Sequence, residues 1–598
     1  METAMSLPAR PSNLQELISL AEQAKVKGDI NQAILLYRHW IDSSASNDRF
    51  VALFNVGVLL ADQKKYKEAE PVYLRALEIA PGFQPARINL GLLYERLGDT
   101  ERAIHEWRKV ASNRTEAADW VSHACTALNH IGRLLEIQKN YADAEKALYE
   151  SLQLNPKQSD AIQHWYHLRQ KQCKWPANYS AGVLSANEII GSASPLATMA
   201  ITDDTAIQWL AAANFVARKF KIEEQFLSNG PLAAREKIRI GYVSGDFCTH
   251  AVGLLLSELI ESHNRDKFEV FGFDFSPEDG SSHRERIKKA FDYFISVKEM
   301  PDDQAALLIR RCDIDILIDL QGLSSGARPG IFAKHPSEIQ IAYLGYLGTS
   351  AMPWIDYFIT DRYCLTPENA SHFTEKPIVV DGSAVPLLPP GADAERAKKS
   401  EFGFAEDSIV LGCFNNIYKF TPEIAKSWAK IVTSDDRAIL WLLDDNQWAT
   451  NNLKREFEQL GVPSKQVLFA GRCPHPEYKK RLEAIDVYLD TFPYNAGSTA
   501  WDVLAAGVPI VTLSGRSYMS RVAGSMLREA GLPELVTTQR RDYERKVIGL
   551  FDPDKRKKIK NKITRRMPKW SETPKKIIKS LEVQLEALLE SKRTVKKQ

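Results

Sequence analysis

The sequence has little that would mark a secreted, disulfide-bonded or zinc-binding protein. Its seven cysteines are scattered, odd in number and never spaced as Cys-x-x-Cys, which argues against both a disulfide framework and a zinc cluster. No uncharged stretch is long enough to span a bilayer, and no basic segment leads into an apolar run at the N-terminus. We therefore expect a cytoplasmic protein with no membrane partner and no cleaved signal.

The charge balance is also nearly even. Lys and Arg number 78 against 76 Asp and Glu, a formal net charge of +2, so the chain has no overall attraction for nucleic acid or anionic membranes. At 598 residues with 44% apolar residues, it is long enough for two to four compact units. We expect a multidomain globular protein without a nucleic-acid partner.

An internal repeat occupies the N-terminal part of the chain. Gly57 and Gly91 are 34 residues apart in two similar segments, a period that resembles the tetratricopeptide repeat. An earlier copy precedes them, and a later copy at Gly132 follows after 41 residues, so about seven residues are inserted around 111–124. The pattern predicts an α-helical solenoid of about four helix pairs over 13–170.

One polar position recurs on the inner helix of the repeats. Asn55 and Asn89 occupy it in successive repeats, and His130 follows in the next. Asparagine amides could hydrogen-bond the backbone of an acceptor polypeptide without reading its side chains. Helix caps or solvated amides are the alternative for each asparagine, and repeat arrays also occur in proteins that only join partners together.

The remainder of the chain predicts an α/β fold. A connector with short helices, 171–235, is followed by apolar strand-like runs such as "KIRIGYVSG" and "IDILIDLQG", and the pattern restarts near 408 with "SIVLGCFNN" and "VYLDTFPY". Continuous apolar strands separated by helices indicate parallel sheets covered on both faces. We predict two doubly wound halves, 236–395 and 396–552, with a ligand cleft between them.

The stretch "LDTFPYNAGSTAWDVLAAGVPIVT" predicts a phosphate-binding loop. Small residues, including Gly497, would let backbone amides approach an anion, and Ser498 and Thr499 would add hydroxyls at the start of a helix. Asp502, one turn later, could accept both hydroxyls of a ribose. An ordinary helix start, with a Ser-Thr cap and an acidic first turn, is the alternative.

Two further loops of the second half carry candidate nucleotide contacts. Lys419 precedes a helix start at Thr421, where a cation opposes the helix dipole unless it serves a bound diphosphate. A solvated loop lysine is the alternative. His475, Tyr478 and Arg481 lie in the first turns of another helix, where Tyr478 could stack on a base and Arg481 could donate to it.

The first half offers a candidate base but no metal site. Asp246 and His250 follow its first strand, and a histidine there could take or orient the proton of an incoming hydroxyl. A structural histidine is the alternative. The sequence has no GxGxxG fingerprint, no Walker lysine and no DxD motif in a metal-binding context. Without a metal, Lys419 and helix ends would have to neutralise a departing diphosphate.

Several motifs in order resemble the protein O-linked N-acetylglucosaminyltransferases and their SPINDLY-type relatives: "GYVSGDFCTHAV", "YLGYLGTSAMPWIDYFITD", "CFNNIYKFTPEIAKSWAKIV", "LDTFPYNAGSTAWDVLAAGVPIVT" and "SRVAGSML". The likeness extends over about 15–550. It implies tetratricopeptide repeats joined to a GT-B catalytic region. It also implies inverting, metal-independent transfer of a sugar from a nucleotide diphosphate, usually UDP-N-acetylglucosamine, to serine or threonine hydroxyls of polypeptides.

The resemblance also implies roles for single residues. Lys419 matches the lysine that contacts the diphosphate, and Asn416 matches a glutamine near the nucleotide. Ser498 and Thr499 match the phosphate-binding hydroxyls, Asp502 the ribose-binding aspartate and His250 the active-site histidine. Three positions depart from the animal enzymes: Gly497 replaces a histidine, His475 replaces a base-contacting lysine, and Tyr478 replaces the base-stacking histidine.

Three alternatives stay open. The "LDTFPY" wording is similar to SPINDLY relatives, some of which use GDP-fucose, so the donor could be GDP-fucose or UDP-glucose, and the acceptor could be asparagine. A non-catalytic repeat scaffold with a domain that senses a nucleotide sugar is the third. The segment 553–598 is basic and then amphipathic, and we predict a C-terminal helix that packs back onto the first half.

Overall fold

The computed structural model describes residues 11–114, 119–180, 182–220, 226–227, 235–388 and 397–595. The chain forms two compact units, of which the first ends at Leu168 and the second begins at Arg169. The predicted boundary at 395 and 396 lies outside the described residues. Among the described residues, no helix is both long enough and apolar enough to cross a bilayer.

The first unit consists of antiparallel helix pairs, as the repeat pattern predicted. Consecutive helices contact each other within each pair and between pairs. The helices are α1 (Leu14–Val26), α2 (Ile30–Ser43), α3 (Arg49–Asp62), α4 (Tyr66–Ile79), α5 (Gln84–Arg96), α6 (Thr100–Ser112), α7 (Trp120–Ile137), α8 (Tyr141–Leu154) and α9 (Ser159–Lys171). Part of the predicted insertion lengthens α7, which has 18 residues where α5 has 13. Residues 115–118 of that insertion lie outside the described residues.

The repeat glycines mark the points where paired helices touch. A Cβ atom on Gly57 would lie 2.5 Å from the ring of Tyr73, and one on Gly91 would lie 2.3 Å from the indole of Trp107. Neither distance is compatible with a side chain, because a rigid aromatic ring fills the space. The period of 34 residues therefore reflects a steric requirement of the helix crossing.

The second unit opens with the connector and continues into a seven-stranded parallel sheet. Its strands follow the order β3-β2-β1-β4-β5-β6-β7. The connector helices are α10 (Ala186–Ser192), α11 (Pro195–Ile201) and α12 (Thr205–Lys219). The sheet and its helices are β1 (Ile238–Ser244), α13 (Ala251–Glu261), β2 (Phe268–Asp274), α14 (Ser282–Ala290), β3 (Tyr293–Ser296), α15 (Asp302–Arg311), β4 (Ile316–Asp319), α16 (Pro329–Ala333), β5 (Ile339–Ala342), β6 (Tyr357–Asp361), α17 (Pro367–Ala370) and β7 (Lys376–Val380).

A second parallel sheet of six strands follows, in the order β10-β9-β8-β11-β12-β13. Its elements are β8 (Ile409–Cys413), α18 (Pro422–Val432), β9 (Ala438–Asp444), α19 (Gln447–Gln459), β10 (Val467–Gly471), α20 (His475–Glu483), β11 (Val487–Leu489), α21 (Ser498–Ala505), β12 (Ile510–Leu513), α22 (Val522–Glu529), β13 (Val536–Thr537) and α23 (Arg540–Gly549). The predicted fold of a repeat solenoid followed by two parallel α/β halves is confirmed. Strands β3, β7 and β13 were not predicted, because all three are edge strands and are less buried than the central ones.

The chain ends with α24 (Pro553–Arg566) and α25 (Thr573–Val595), and α25 packs on the first half as predicted. Its buried Glu582 accepts hydrogen bonds from the Nδ1 of His263 and the amide of Asn264, both at 2.9 Å. The other ring nitrogen of His263 lies 2.8 Å from the hydroxyl of Tyr242. Burial lowers the pKa of His263, so the imidazole is neutral and serves as donor on one side and acceptor on the other.

Candidate functional site

The candidate site of the second half lies at the point where its strand order reverses. Strand β8 pairs with β9 on one side and with β11 on the other, and all three run parallel. In such a sheet, ligands bind in the crevice beyond the carboxyl ends of the two strands at the reversal. The loop after β8 carries Lys419 and the loop after β11 leads to Ser498, so both predicted phosphate loops open at this crevice.

Side-chain hydrogen bonds hold the two loops together. Asn415 donates from Nδ2 to the hydroxyl of Thr491 at 2.8 Å. Thr421 donates from its hydroxyl to the carbonyl of Phe492 at 3.1 Å, and the same oxygen accepts from the amide of Ile424 to cap α18. The predicted helix start at Thr421 is thus confirmed, and its cap residue also fixes the neighbouring loop.

Lys419 points from the loop after β8 into the loop after β11. Its Nζ lies 3.4 Å from the main-chain oxygen of Asn495 and 4.0 Å from the centre of the Tyr494 ring. Burial lowers the pKa of Lys419 to about 8, while the charge of Asp490 acts in the opposite direction. The ammonium group is therefore weakly hydrated and held mostly by a carbonyl dipole and an aromatic face, so a bound anion would gain strongly from it.

Asp490 is a member of the site that the sequence reasoning missed. It follows β11, is fully buried, and accepts hydrogen bonds from the amides of Thr491 and Ala496 and from the hydroxyl of Thr512. Burial raises its pKa to about 6, against the effect of these hydrogen bonds and of Lys419. A carboxylate that ends an apolar strand was the signal in "VYLD" that could have identified it.

The start of α21 has the form of an anion cradle. Gly497 is the N-cap residue and no side chain caps the helix, so the predicted alternative of a Ser-Thr cap does not apply. The hydroxyls of Ser498 and Thr499 have no hydrogen-bond partner among the described residues, and both side chains are partly exposed. Open space lies beside Gly497, where an added Cβ would meet nothing within 4 Å. First-turn amides and two hydroxyls are thus available to one ligand.

Asp502 lies farther along α21 and carries an unsatisfied oxygen. Its Oδ1 is buried without a hydrogen-bond partner in the described part of the chain. The Nε2 of His475 approaches it to 3.5 Å, which is too long for a hydrogen bond. Buried polar atoms are normally satisfied, so this oxygen is suited to accept from a ligand hydroxyl. His475 also lies beside Tyr478, with ring centres 6.1 Å apart.

Arg481 and Asn416 were also predicted to contact the nucleotide. The guanidinium of Arg481 donates to the carbonyl of Gly471 and, at 2.7 Å, to Glu477, so part of its donor capacity is already used within its own helix and loop. Asn416 is exposed at the start of the short 3₁₀ turn that ends at Lys419. The side chain of Asn416 is free to approach a ligand over the crevice.

The first sheet reverses its strand order between β1 and β4, and the second candidate group lies there. His250 caps α13 and is half exposed, with its Nδ1 3.5 Å from Oδ1 of Asp246. Gln321, in the loop after β4, donates to Oδ2 of Asp246 at 3.2 Å and accepts from the amide of Gly245 at 3.1 Å. Gln321 was not predicted from the sequence.

The two contacts of His250 require different tautomers. The amide nitrogen of Val252 lies 3.4 Å from Nδ1. Nδ1 can accept this hydrogen bond only when it carries no proton. A hydrogen bond to Asp246 instead requires a proton on Nδ1, which leaves Nε2 as the free base. In the structure Nδ1 accepts from Val252, and Gln321 holds Asp246 beside the ring, so that a turn of the ring toward the carboxylate would select the second tautomer.

Helix packing connects several of the elements that carry these groups. Helix α13, which starts after His250, contacts α21, which starts at Ser498, and α20 also contacts α21. The connector supports the same region, because α11 packs on the turn that carries Lys419 and Cys173 donates to the carbonyl of Ile417. The helix that begins beside His250 and the helix that begins at Ser498 are therefore neighbours.

The repeat asparagines take part in internal contacts. The amide of Asn55 lies beside the hydroxyl of Tyr37, and that of Asn89 lies beside the hydroxyl of Tyr73; each amide lowers the pKa of its tyrosine against the larger effect of burial. His130 stacks on Trp107, with ring centres 5.1 Å apart. Each inner-helix residue thus contacts an aromatic residue of the preceding repeat. The predicted role of Asn55 and Asn89 in binding an acceptor polypeptide stays a prediction.

Comparison with known proteins identifies relatives of both parts. Residues 215–382 and 393–572 match the family described as "Glycosyl transferase family 41", and residues 51–83 and 86–159 match tetratricopeptide repeats. A solved O-GlcNAc transferase mutant from Thermobaculum terrenum superimposes with a TM-score of 0.64 and 24% identity, covering 98% of this chain and 99% of that one. The similarity to this solved structure supports the fold.

Curated relatives match about half of the chain. The probable UDP-N-acetylglucosamine–peptide N-acetylglucosaminyltransferase SEC of Arabidopsis thaliana is 33% identical over 325 residues, 53% of this chain and 33% of the relative. The SPINDLY protein of the same plant, with the same probable activity in its name, is 26% identical over 339 residues, 55% of this chain and 37% of the relative. The chain thus matches little more than a third of the length of these relatives. Since the family match covers more than half of the chain, the protein belongs to glycosyl transferase family 41.

Proposed function

We propose that the protein transfers a sugar from a nucleotide diphosphate, most simply N-acetylglucosamine from UDP-N-acetylglucosamine, to serine or threonine hydroxyls of polypeptides. The observation that carries the proposal is the convergence of Lys419 on the loop that opens α21. Relatives are named as peptide N-acetylglucosaminyltransferases, which supports the donor and the acceptor class. The repeats, with Asn55 and Asn89 on their inner helices, would present the acceptor.

The diphosphate end of the donor would be held by groups of the second half. When the bond between the anomeric carbon and the diphosphate oxygen breaks, negative charge gathers on that oxygen. The ammonium of Lys419, the first-turn amides of α21 and the hydroxyls of Ser498 and Thr499 would face this oxygen, where preorganised donors lower the barrier most. The unsatisfied Oδ1 of Asp502 would accept from a ribose hydroxyl, and Tyr478 would lie flat against the base.

The acceptor end would be activated from the first half. The acceptor oxygen forms a bond to the anomeric carbon from the face opposite the departing diphosphate, which inverts the configuration. Its proton passes to Nε2 of His250 while Asp246 accepts from Nδ1, so the positive charge that develops on the ring is stabilised. No group of three or more His, Cys, Asp or Glu side chains that could hold a metal is present among the described residues. Independence from metal is part of the proposal.

Donor identity is tested first by thermal-shift titration with UDP, GDP, UDP-N-acetylglucosamine, UDP-glucose and GDP-fucose. A ligand that binds only the folded state raises the thermal midpoint in proportion to its affinity. We expect the uridine nucleotides to stabilise the protein and the guanosine nucleotides to have little effect. Stabilisation by GDP and GDP-fucose alone would identify GDP-fucose as the donor and would leave the proposed diphosphate site unchanged.

Transfer is tested with tritium-labelled UDP-N-acetylglucosamine and a proteome extract, in buffer containing EDTA. We expect label on protein that is released by alkaline β-elimination, which cleaves sugars on serine and threonine but not on asparagine. Label resistant to β-elimination would point to asparagine. Donor binding without transfer or donor hydrolysis would favour a scaffold with a domain that senses the nucleotide sugar.

A further inference from the structure

A cavity of about 750 Å³ lies away from the candidate nucleotide site, at one edge of the second sheet. It is bounded by edge strand β13, by α23 and by the first turns of α24. None of the residues that line it belongs to the loops that carry Lys419, Asp502 or His250. The proposed reaction therefore gives this cavity no role, and its chemistry has to be explained separately.

The floor of the cavity is apolar. Leu535 and Leu550 are buried beneath it, and Val536 and Ile559 are partly exposed into it. Pockets with such a floor bind apolar side chains, because burying apolar surface away from water is favourable.

The rim of the cavity is basic. Four cations and two carboxylates line it, namely Arg545, Lys546, Lys555, Lys558, Glu534 and Asp542. Both carboxylates are already paired, Asp542 with Arg545 and Glu534 with Lys562 at 2.6 Å. The rim therefore presents an excess of positive charge to any ligand that enters.

Three of these cations have no ion-pair partner among the described residues: Lys546, Lys555 and Lys558. The carboxylate of Asp552 lies at the start of α24, where its Oδ1 accepts from the main-chain amides of Asp554 and Lys555. Its charge acts on Lys555 and Lys558 only at longer range. Three lysines thus surround an apolar floor with their charges available.

We infer that this cavity binds an acidic, extended segment of a partner polypeptide. Its carboxylates would face Lys546, Lys555 and Lys558, and an apolar side chain between them would enter over Leu550 and Ile559. A bilayer surface presents anions without a protruding apolar group, and so it would leave the recessed floor empty. The lining has no aromatic side chain, so single-stranded nucleic acid would find no ring on which to stack.

The test measures fluorescence anisotropy of a short labelled peptide in which Glu residues alternate with Leu or Phe, titrated with the full chain. We expect binding that weakens with salt and falls about tenfold or more in Lys555→Glu/Lys558→Glu. The matched control is Lys557→Glu/Lys569→Glu, which makes the same change in net charge at exposed positions outside the cavity. The control should bind like the wild type.

A second variant examines the floor. Ile559→Ala should weaken the peptide with Leu or Phe and leave a peptide with Ala at those positions unaffected. The inference fails if the acidic peptide does not bind, if both double variants lose binding equally, or if only vesicles with phosphatidylserine respond to Lys555→Glu/Lys558→Glu. None of these variants touches the donor site, so donor binding stays as an independent check that each protein is folded.

Discussion

The ammonium group of Lys419 lies 3.4 Å from the carbonyl oxygen of Asn495, three residues before the helix that opens at Ser498. This contact joins the loop after β8 to the loop after β11 at the reversal of strand order. The cation, the cradle of amides and the buried Asp490 thus belong to one local arrangement. Its consequences for donor binding can be measured.

Donor binding should depend on the charge of Lys419. Burial lowers the pKa of this group to about 8, so the free protein loses the positive charge as the pH rises through that value. We expect the affinity for UDP to fall between about pH 7 and 9, a range in which the terminal phosphate is already ionised. Calorimetric titrations across this range measure the effect. A flat affinity up to pH 9 would argue against the lysine as the diphosphate contact.

His250 should contribute to the chemical step. We expect His250→Ala to lower kcat by about 10²–10⁴-fold, as for loss of a general base. Asp246→Asn should lower kcat by less and leave the KM for the donor nearly unchanged, because an amide no longer favours the proton on Nδ1. Steady-state kinetics with a peptide acceptor measure both. Asp266→Asn, at an exposed position just before β2 and at the opposite end of the parallel strands from His250, is the control and should behave as the wild type; an equal loss of kcat there would contradict the role of Asp246.

The sequence predicted the parts of this site that local patterns determine. Apolar runs identified strands β8 and β11, and small residues after β11 identified the helix start at Ser498. The pairing of β8 with β11 depends on contacts between distant segments, and no local pattern contains it. Gln321 was missed for the same reason, since its partner Asp246 lies far away along the chain, whereas Asp490 had a local signal in the carboxylate that ends "VYLD". Strand β13, with two residues, is defined only by its pairing with β12.

The repeat unit should be sensitive to one added methyl group. Gly91→Ala would place a Cβ within 2.3 Å of the Trp107 indole, and we expect a cost of about 1–3 kcal/mol from overpacking. Gly82→Ala is the matched control, because no atom lies within 4 Å of an added Cβ there. Hydrogen exchange of the full chain should show faster exchange in α5 and α6 for the first variant only. Equal protection in both variants would contradict the account of the helix crossing.

The docking of the C-terminal helix should weaken in acid. Burial lowers the pKa of His263 below its ordinary value of 6.5. Below about pH 6.5 the unfolded chain therefore binds a proton that the folded chain does not, and stability falls as the pH falls. Hydrogen exchange in α25 between pH 7.5 and 5.5, corrected for intrinsic rates, should show progressive loss of protection.

The carboxylate that faces His263 offers a direct variant. Glu582→Gln should weaken protection of α25 by about 1–3 kcal/mol, since a buried charge-assisted pair is replaced by a neutral one. Glu586→Gln, which removes only an exposed ion pair with Lys267, should have little effect. Similar losses in the two variants would show that the buried contact of Glu582 is not what holds the helix.

The central claim is that Lys419 neutralises the diphosphate of the donor. Lys419→Met keeps the length and most of the volume of the side chain while removing a charge that burial disfavours, so the thermal midpoint of the free protein should be equal to the wild type or higher. The most direct measurement combines UDP calorimetry with sugar transfer by this variant. We expect UDP affinity to fall at least about tenfold and transfer to fall about 10²–10³-fold or more; wild-type affinity and transfer in a folded Lys419→Met protein would contradict the account.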